Sequence, residues 1–149
     1  MTEIGFYHLT RLSLEQALPR LLERAMSVGH RAVVLAGSDE RAEALNALLW
    51  TFAERSWLPH GGAREGFAED QPIWLSAREE NPNGADLLFM LDAVEPDFVG
   101  GFARAFDLFD GADEEAVAAA RRRWAAWKAG GHALTYWRQN EAGGWEKQA

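Results

Sequence analysis

Apolar positions along the chain change period several times, and each change marks an element. Residues 4–8, IGFYH, are short and rich in aromatic and β-branched side chains, as a strand requires. Leu14, Leu18, Leu21, Leu22, Ala25 and Met26 then recur at helical spacing up to Gly29. Pro19 removes a backbone donor, so the main helix is predicted to begin near it, with residues 13–16 as a separate lead-in turn. Residues 31–36 carry VVLA, the continuous apolar run of a strand buried on both faces. Gly37, Ser38, Asp39 and Glu40 follow as turn, N-cap and first-turn acids of a second helix, which presents Leu45, Leu48, Leu49 and Phe52 on one face.

The segment 59–72, PHGGAREGFAEDQP, has breakers at its ends and centre and no apolar period, so it reads as a long surface loop. Strands are predicted at 73–75, 86–90, 104–109 and 132–137, with a polar loop closing on Asn83-Gly84. Asp113 caps an alanine-rich helix that runs to Lys128 before Gly130-Gly131. Gly143-Gly144 before Trp145 allows either a hairpin or a loose tail. Strands alternating with helices over 149 residues, without a repeat or linker, predict one domain spanning 1–149. Its expected fold is a three-layer, Rossmann-like α/β sandwich around a mostly parallel sheet.

Charge sharpens the picture more than composition does. The chain carries −8 overall, yet residues 116–140 contain no Asp or Glu while Arg121, Arg122, Arg123, Lys128 and Arg138 contribute +5, leaving −13 on the remainder. A basic patch on an acidic body points to a small acidic partner rather than a long polyanion. Without cysteine, disulfides, thiolate metal sites and cysteine nucleophiles are excluded. No basic-then-apolar leader and no membrane-spanning run is present, so a cytoplasmic protein without membrane contact is expected; the chain is expected to be a monomer within a larger complex.

Candidate chemistry is sparse. His8, His30, His60 and His132 form no paired metal motif, and no nucleophile elbow occurs, so no metal, cofactor or catalytic residue is assigned. The turn AGSDERAE lies where a doubly wound fold binds nucleotides but lacks the glycine signatures for phosphate. On the helix after Asp113, Val117, Arg121, Trp124 and Lys128 fall along one stripe, an aromatic between two cations. That stripe suits a peptide ending in an aromatic residue, with its carboxylate on Arg121 or Lys128, its ring on Trp124, and upstream acids near Arg122 and Arg123. The competing reading makes Trp124 and Trp127 core residues and the arginines simply solvated. A second aromatic cluster, Leu49, Trp50, Phe52, Trp57 and Leu58, is either core or a partner surface.

Three stretches, FYHL near the start, ALLWTFAERSWLPHG, and RRRWAAWKAGGHALTYW near the end, make the sequence similar to the chi subunit of bacterial DNA polymerase III over nearly its whole length. The resemblance implies a non-catalytic clamp-loader accessory protein that binds the acidic C-terminal tail of single-stranded-DNA-binding protein and meets DNA only indirectly. It places the tail pocket on Arg121, Trp124 and Lys128, with Phe109 as apolar wall. The position after the aromatic, a lysine in the family pattern, is Ala125 here, leaving Arg122 or Lys128 as the replacement cation. It also places a contact with a psi subunit, or with an accessory helicase, on Trp50, Trp57 and Leu58. Two alternatives stand beside it: a single-stranded nucleic-acid module stacking bases on Trp124, Trp127 and Trp137, and a nucleotide-dependent enzyme at the α/β switch point.

Overall fold

The computed structural model describes residues 2–53, 60–62, 65–142 and 144–149. Eight strands form one sheet: β1 (Glu3–Leu9), β2 (Ala32–Leu35), β3 (Gly61–Gly62), β4 (Ile73–Ser76), β5 (Leu87–Met90), β6 (Arg104–Asp110), β7 (Ala133–Gln139) and β8 (Trp145–Lys147). Their order is β3-β4-β2-β5-β6-β1-β7-β8, parallel throughout except for the antiparallel hairpin β7–β8. Helices α1 (Leu14–Ser27) and α2 (Asp39–Ala53) cover one face, and α3 (Glu114–Ala129) lies on the other.

Alternation along the strands sorts the core into two layers. Ala32 and Val34 face α1 and α2 with Leu18, Leu22, Leu45 and Leu49, while Val33 and Leu35 join Ile4, Phe6, Leu88 and Ala120 beneath α3. Coverage of both faces is what allows the central strands to be continuously apolar. The expected three-layer α/β architecture is therefore present. Among the described residues no helix is long and apolar enough to cross a membrane.

Three local readings are corrected. The helix α1 does not wait for Pro19 but starts at Leu14, with Pro19 buried inside it. Ser13 accepts from the Gln16 backbone and Gln16 returns a bond to the Ser13 N–H, and burial of Ala17 and Leu18 holds this first turn in the helix. Second, the 59–72 segment is not wholly a surface loop: Gly61 and Gly62 are buried and pair with Trp74 and Leu75 as an edge strand, followed by a 3-10 turn at Ala68–Asp70. Third, Arg123 is not a solvated member of the basic patch. It is 3% exposed and grips Asp107 of β6 in a two-pronged ion pair, 2.7 and 2.8 Å.

Burial pushes the Asp107 carboxyl above the usual carboxylate range, and the pull of Arg123 opposes that shift. Removing one partner strands the other charge in the core. Asp107→Asn or Arg123→Met is therefore predicted to cost about 3–5 kcal/mol, whereas the joint Asp107→Leu/Arg123→Met variant loses far less. Urea denaturation of the three variants checks this; equal losses in all three would show that no unpaired charge is created.

Candidate peptide-docking pocket

Three strands and one helix build the site. Alternation turns Phe6 and His8 of β1, Phe109 of β6 and Tyr136 of β7 toward α3, and the parallel register sets His8 beside Phe109 on one flank and Arg138 on the other. Asp113 starts α3 by accepting from the N–H groups of Glu115 and Ala116. With Arg123 anchored on β6, helical periodicity aims Val117, Arg121 and Trp124 over these aromatics.

The result is a cavity of about 310 Å³ lined by Phe6, Phe109, Val117, Ala120, Arg121, Trp124 and Tyr136. Trp124 meets Phe6 edge-on at 5.3 Å between ring centroids and Tyr136 at 6.2 Å, so its indole is half buried and still forms a wall. Trp124 is thus neither fully buried, as a core residue would be, nor fully exposed. Arg121 and Arg122 are exposed, as is Lys128. Among the described residues no carboxylate pairs with any of the three. Arg121 stands at the cavity itself; Lys128 sits in the last turn of α3, and neither it nor Arg122 lines the cavity.

Beneath the pocket, His8 Nδ1 is hydrogen-bonded to the Tyr136 hydroxyl, and the imidazole edge packs on Phe109 at 5.2 Å. The other side of the ring rests on Gly111, where a Cβ would lie 2.1 Å from the imidazole and 2.6 Å from the Leu9 carbonyl oxygen. Burial, then Arg138, hold the His8 imidazole below the ordinary histidine range, with Asp110 pulling the other way. Burial raises the Tyr136 phenol, opposed by Arg138 and Arg121. Phe6, His8 and Tyr136 escape a reading based on single-helix spacing, because their convergence depends on β1 lying between β6 and β7. The one available clue is alternation within FYHL, which puts Phe6 and His8 on a common face.

Elsewhere, Trp50 is 52% exposed, with its ring 4.4 Å from that of His60; Trp57 and Leu58 lie outside the described residues. Trp124 and Trp127 sit on the α3 face whereas Trp137 packs on the opposite one, so the three tryptophans share no base-stacking surface. At the start of α2, the Asp92 carboxylate accepts the Gly37 N–H and pairs with Arg41. An acid therefore occupies the place where a bound phosphate would need backbone donors.

These features define a class: an α/β protein with a small aromatic pocket beside a guanidinium that no carboxylate pairs with among the described residues. Residues 1–135 match the family described as DNA polymerase III chi subunit, HolC, and the chain belongs to that family. A Pseudomonas aeruginosa protein, "DNA polymerase III subunit chi", is 29% identical over 125 residues, covering 82% of this chain and 85% of that protein. A Rickettsia prowazekii protein, "Probable DNA polymerase III subunit chi", is 27% identical over 95 residues, covering 64% of this chain and 58% of the relative's length.

Two predictions follow the His8 geometry. Gly111→Ala forces backbone and ring apart and is expected to cost about 1–3 kcal/mol in a denaturant melt. Because the folded His8 pKa is below the unfolded value, the unfolded chain binds the proton first as pH falls through about 6.5. The His8 contribution to stability is therefore complete above that pH and is lost below it, toward the lower folded value. Urea midpoints across this range should fall more steeply for the native chain than for His8→Gln.

Proposed function

We propose that this chain is a non-catalytic accessory subunit of the DNA polymerase III assembly whose α3 pocket captures the acidic C-terminal tail of single-stranded-DNA-binding protein. The observation that carries the reading is the unpaired Arg121 guanidinium beside an aromatic cavity formed by Phe6, Phe109, Trp124 and Tyr136. A terminal aromatic ring enters the cavity, where edge-to-face contacts favour it, and its carboxylate pairs with Arg121. Acidic residues further up the tail pass the exposed Arg122 and Lys128. With Ala125 offering no charge, these two cations supply the remaining attraction. Arg123 takes no part, being committed to Asp107.

In this role the subunit links the clamp-loader end of the polymerase to coated template without itself holding DNA, in keeping with its net charge of −8. A second contact, with a psi subunit or an accessory helicase, is proposed at the exposed Trp50 and its sequence neighbours Trp57 and Leu58. Exposure of so large an indole supports it.

Calorimetric titration with a tail peptide tests the pocket. Arg121→Ala and Trp124→Ala are each expected to weaken binding by about 1–4 kcal/mol. Amidating the peptide's C-terminus or deleting its last aromatic residue should have a comparable effect. Identical titration of the free acid and the amide would refute carboxylate recognition.

A further inference from the structure

The opposite face of the sheet carries a second, differently built surface. One aromatic residue from each of five consecutive strands stands in a row there: Phe89 of β5, Phe106 of β6, Tyr7 of β1, Trp137 of β7 and Trp145 of β8. The row is continuous. Phe89 stacks on Phe106 at 4.5 Å, Phe106 meets Tyr7 at 5.4 Å, and Tyr7 stacks on Trp137 at 6.1 Å and touches Trp145 edge-on at 5.0 Å. Gly5 makes this possible, since a Cβ there would come within 2.8 Å of the Tyr7 ring lying over it.

The helix α1 leaves only the far end of the row accessible: Phe89, Phe106 and Tyr7 are buried, whereas Trp137 and Trp145 are half-buried. Between the second half of α1 and the β7–β8 hairpin runs a cleft of about 690 Å³. Leu21, Ala25 and Val28 form one side, with Val28 68% exposed, and Trp137, Gly144 and Trp145 form the other. A parallel sheet normally has helices on both faces, and this stretch of it lacks one. The charged residues of the lining are cationic or basic: Arg24, Arg104 with its guanidinium 5.2 Å from the Phe106 ring, and His30, bound to Asp86. Lys147 lies opposite Trp137 in the hairpin register. Glu3 lies opposite Arg104 in the β1–β6 register, and among the described residues no Asp or Glu lines the cleft of a chain that holds 23 of them.

We propose that this cleft docks an amphipathic helix of a partner protein, with aliphatic side chains against Trp137, Trp145, Leu21 and Val28 and acidic residues on its flanks meeting Arg24 and Arg104. Cationic lips on an otherwise acidic protein select the sign of the partner's charge, and the missing sheet cover selects its shape. A single-stranded nucleic acid fits less well, because the ring faces within the row are already turned on one another and offer no open platform for bases. Trp137 and Trp145 bring the β7–β8 hairpin into the surface.

Fluorescence anisotropy with the full chain tests the proposal. The probes are a stapled helix of about four turns, with leucines at i, i+3, i+4 and i+7 and flanking glutamates, its counterpart with lysines in place of the glutamates, and an oligothymidylate. The glutamate helix is expected to bind about tenfold or more tightly than the lysine helix. Arg104→Glu on β6 and Arg24→Glu on α1 should each weaken it about tenfold, while Arg121→Ala leaves it unchanged. Absence of binding, equal binding of both helices, indifference to both charge reversals, loss of binding in Arg121→Ala, or displacement by the oligothymidylate would each overturn it.

Discussion

The ion pair between Arg123 and Asp107 decides what α3 can do. It ties the middle of the helix to the middle of β6 by two short hydrogen bonds in a site almost free of water. A guanidinium fork accepts a carboxylate in few orientations, so the contact fixes rotation as well as distance. Once Arg123 points into the sheet, Arg121 and Trp124 have to fall over Phe6, Phe109 and Tyr136. Desolvation offsets much of the pair's attraction, and its value lies in that alignment more than in net stability.

An accessory subunit works through the number and independence of its surfaces. The α3 pocket lies on one face of the sheet and the aromatic cleft on the other, while Trp50 sits on α2, which packs toward the β3–β4 edge. Ligands at the first two surfaces are separated by the sheet itself. Neither needs to displace the other, which is the arrangement a connecting subunit requires. The two surfaces differ in size and lining as well: about 310 Å³ around Trp124 and Arg121 in one, about 690 Å³ between α1 and the β7–β8 hairpin in the other.

Most of the architecture was legible because parallel strands buried on both faces write themselves as short apolar runs, as in VVLA, and because Asp113 and Ser38 announce helix starts. Pro19 misled because a single breaker was weighed above the Ser13–Gln16 capping box and the apolar stripe behind it. Gly61 and Gly62 carried no strand signal, since an edge strand of two glycines is held by its neighbour β4 and not by its own propensity. Arg123 shares the local charge pattern of Arg121 and Arg122, and only its spacing from Ala120 and Trp127 places it on the buried side of the helix. Phe6, His8 and Tyr136 were out of reach because the order β6-β1-β7 is a property of long-range pairing. The half-buried state of Trp124 likewise follows from contacts that no local pattern encodes.

The central claim is that a partner's terminal residue enters the box under α3 and not one of the other aromatic surfaces. Indole N–H resonances of the seven tryptophans, assigned by single Trp→Phe replacements and followed by two-dimensional NMR as tail peptide is added, address it directly. The account predicts that the Trp124 resonance moves together with the amides of Val117 and Arg121 while those of Trp50, Trp137 and Trp145 stay in place. Movement centred on Trp50 or on the Trp137–Trp145 hairpin, with Trp124 silent, would contradict it.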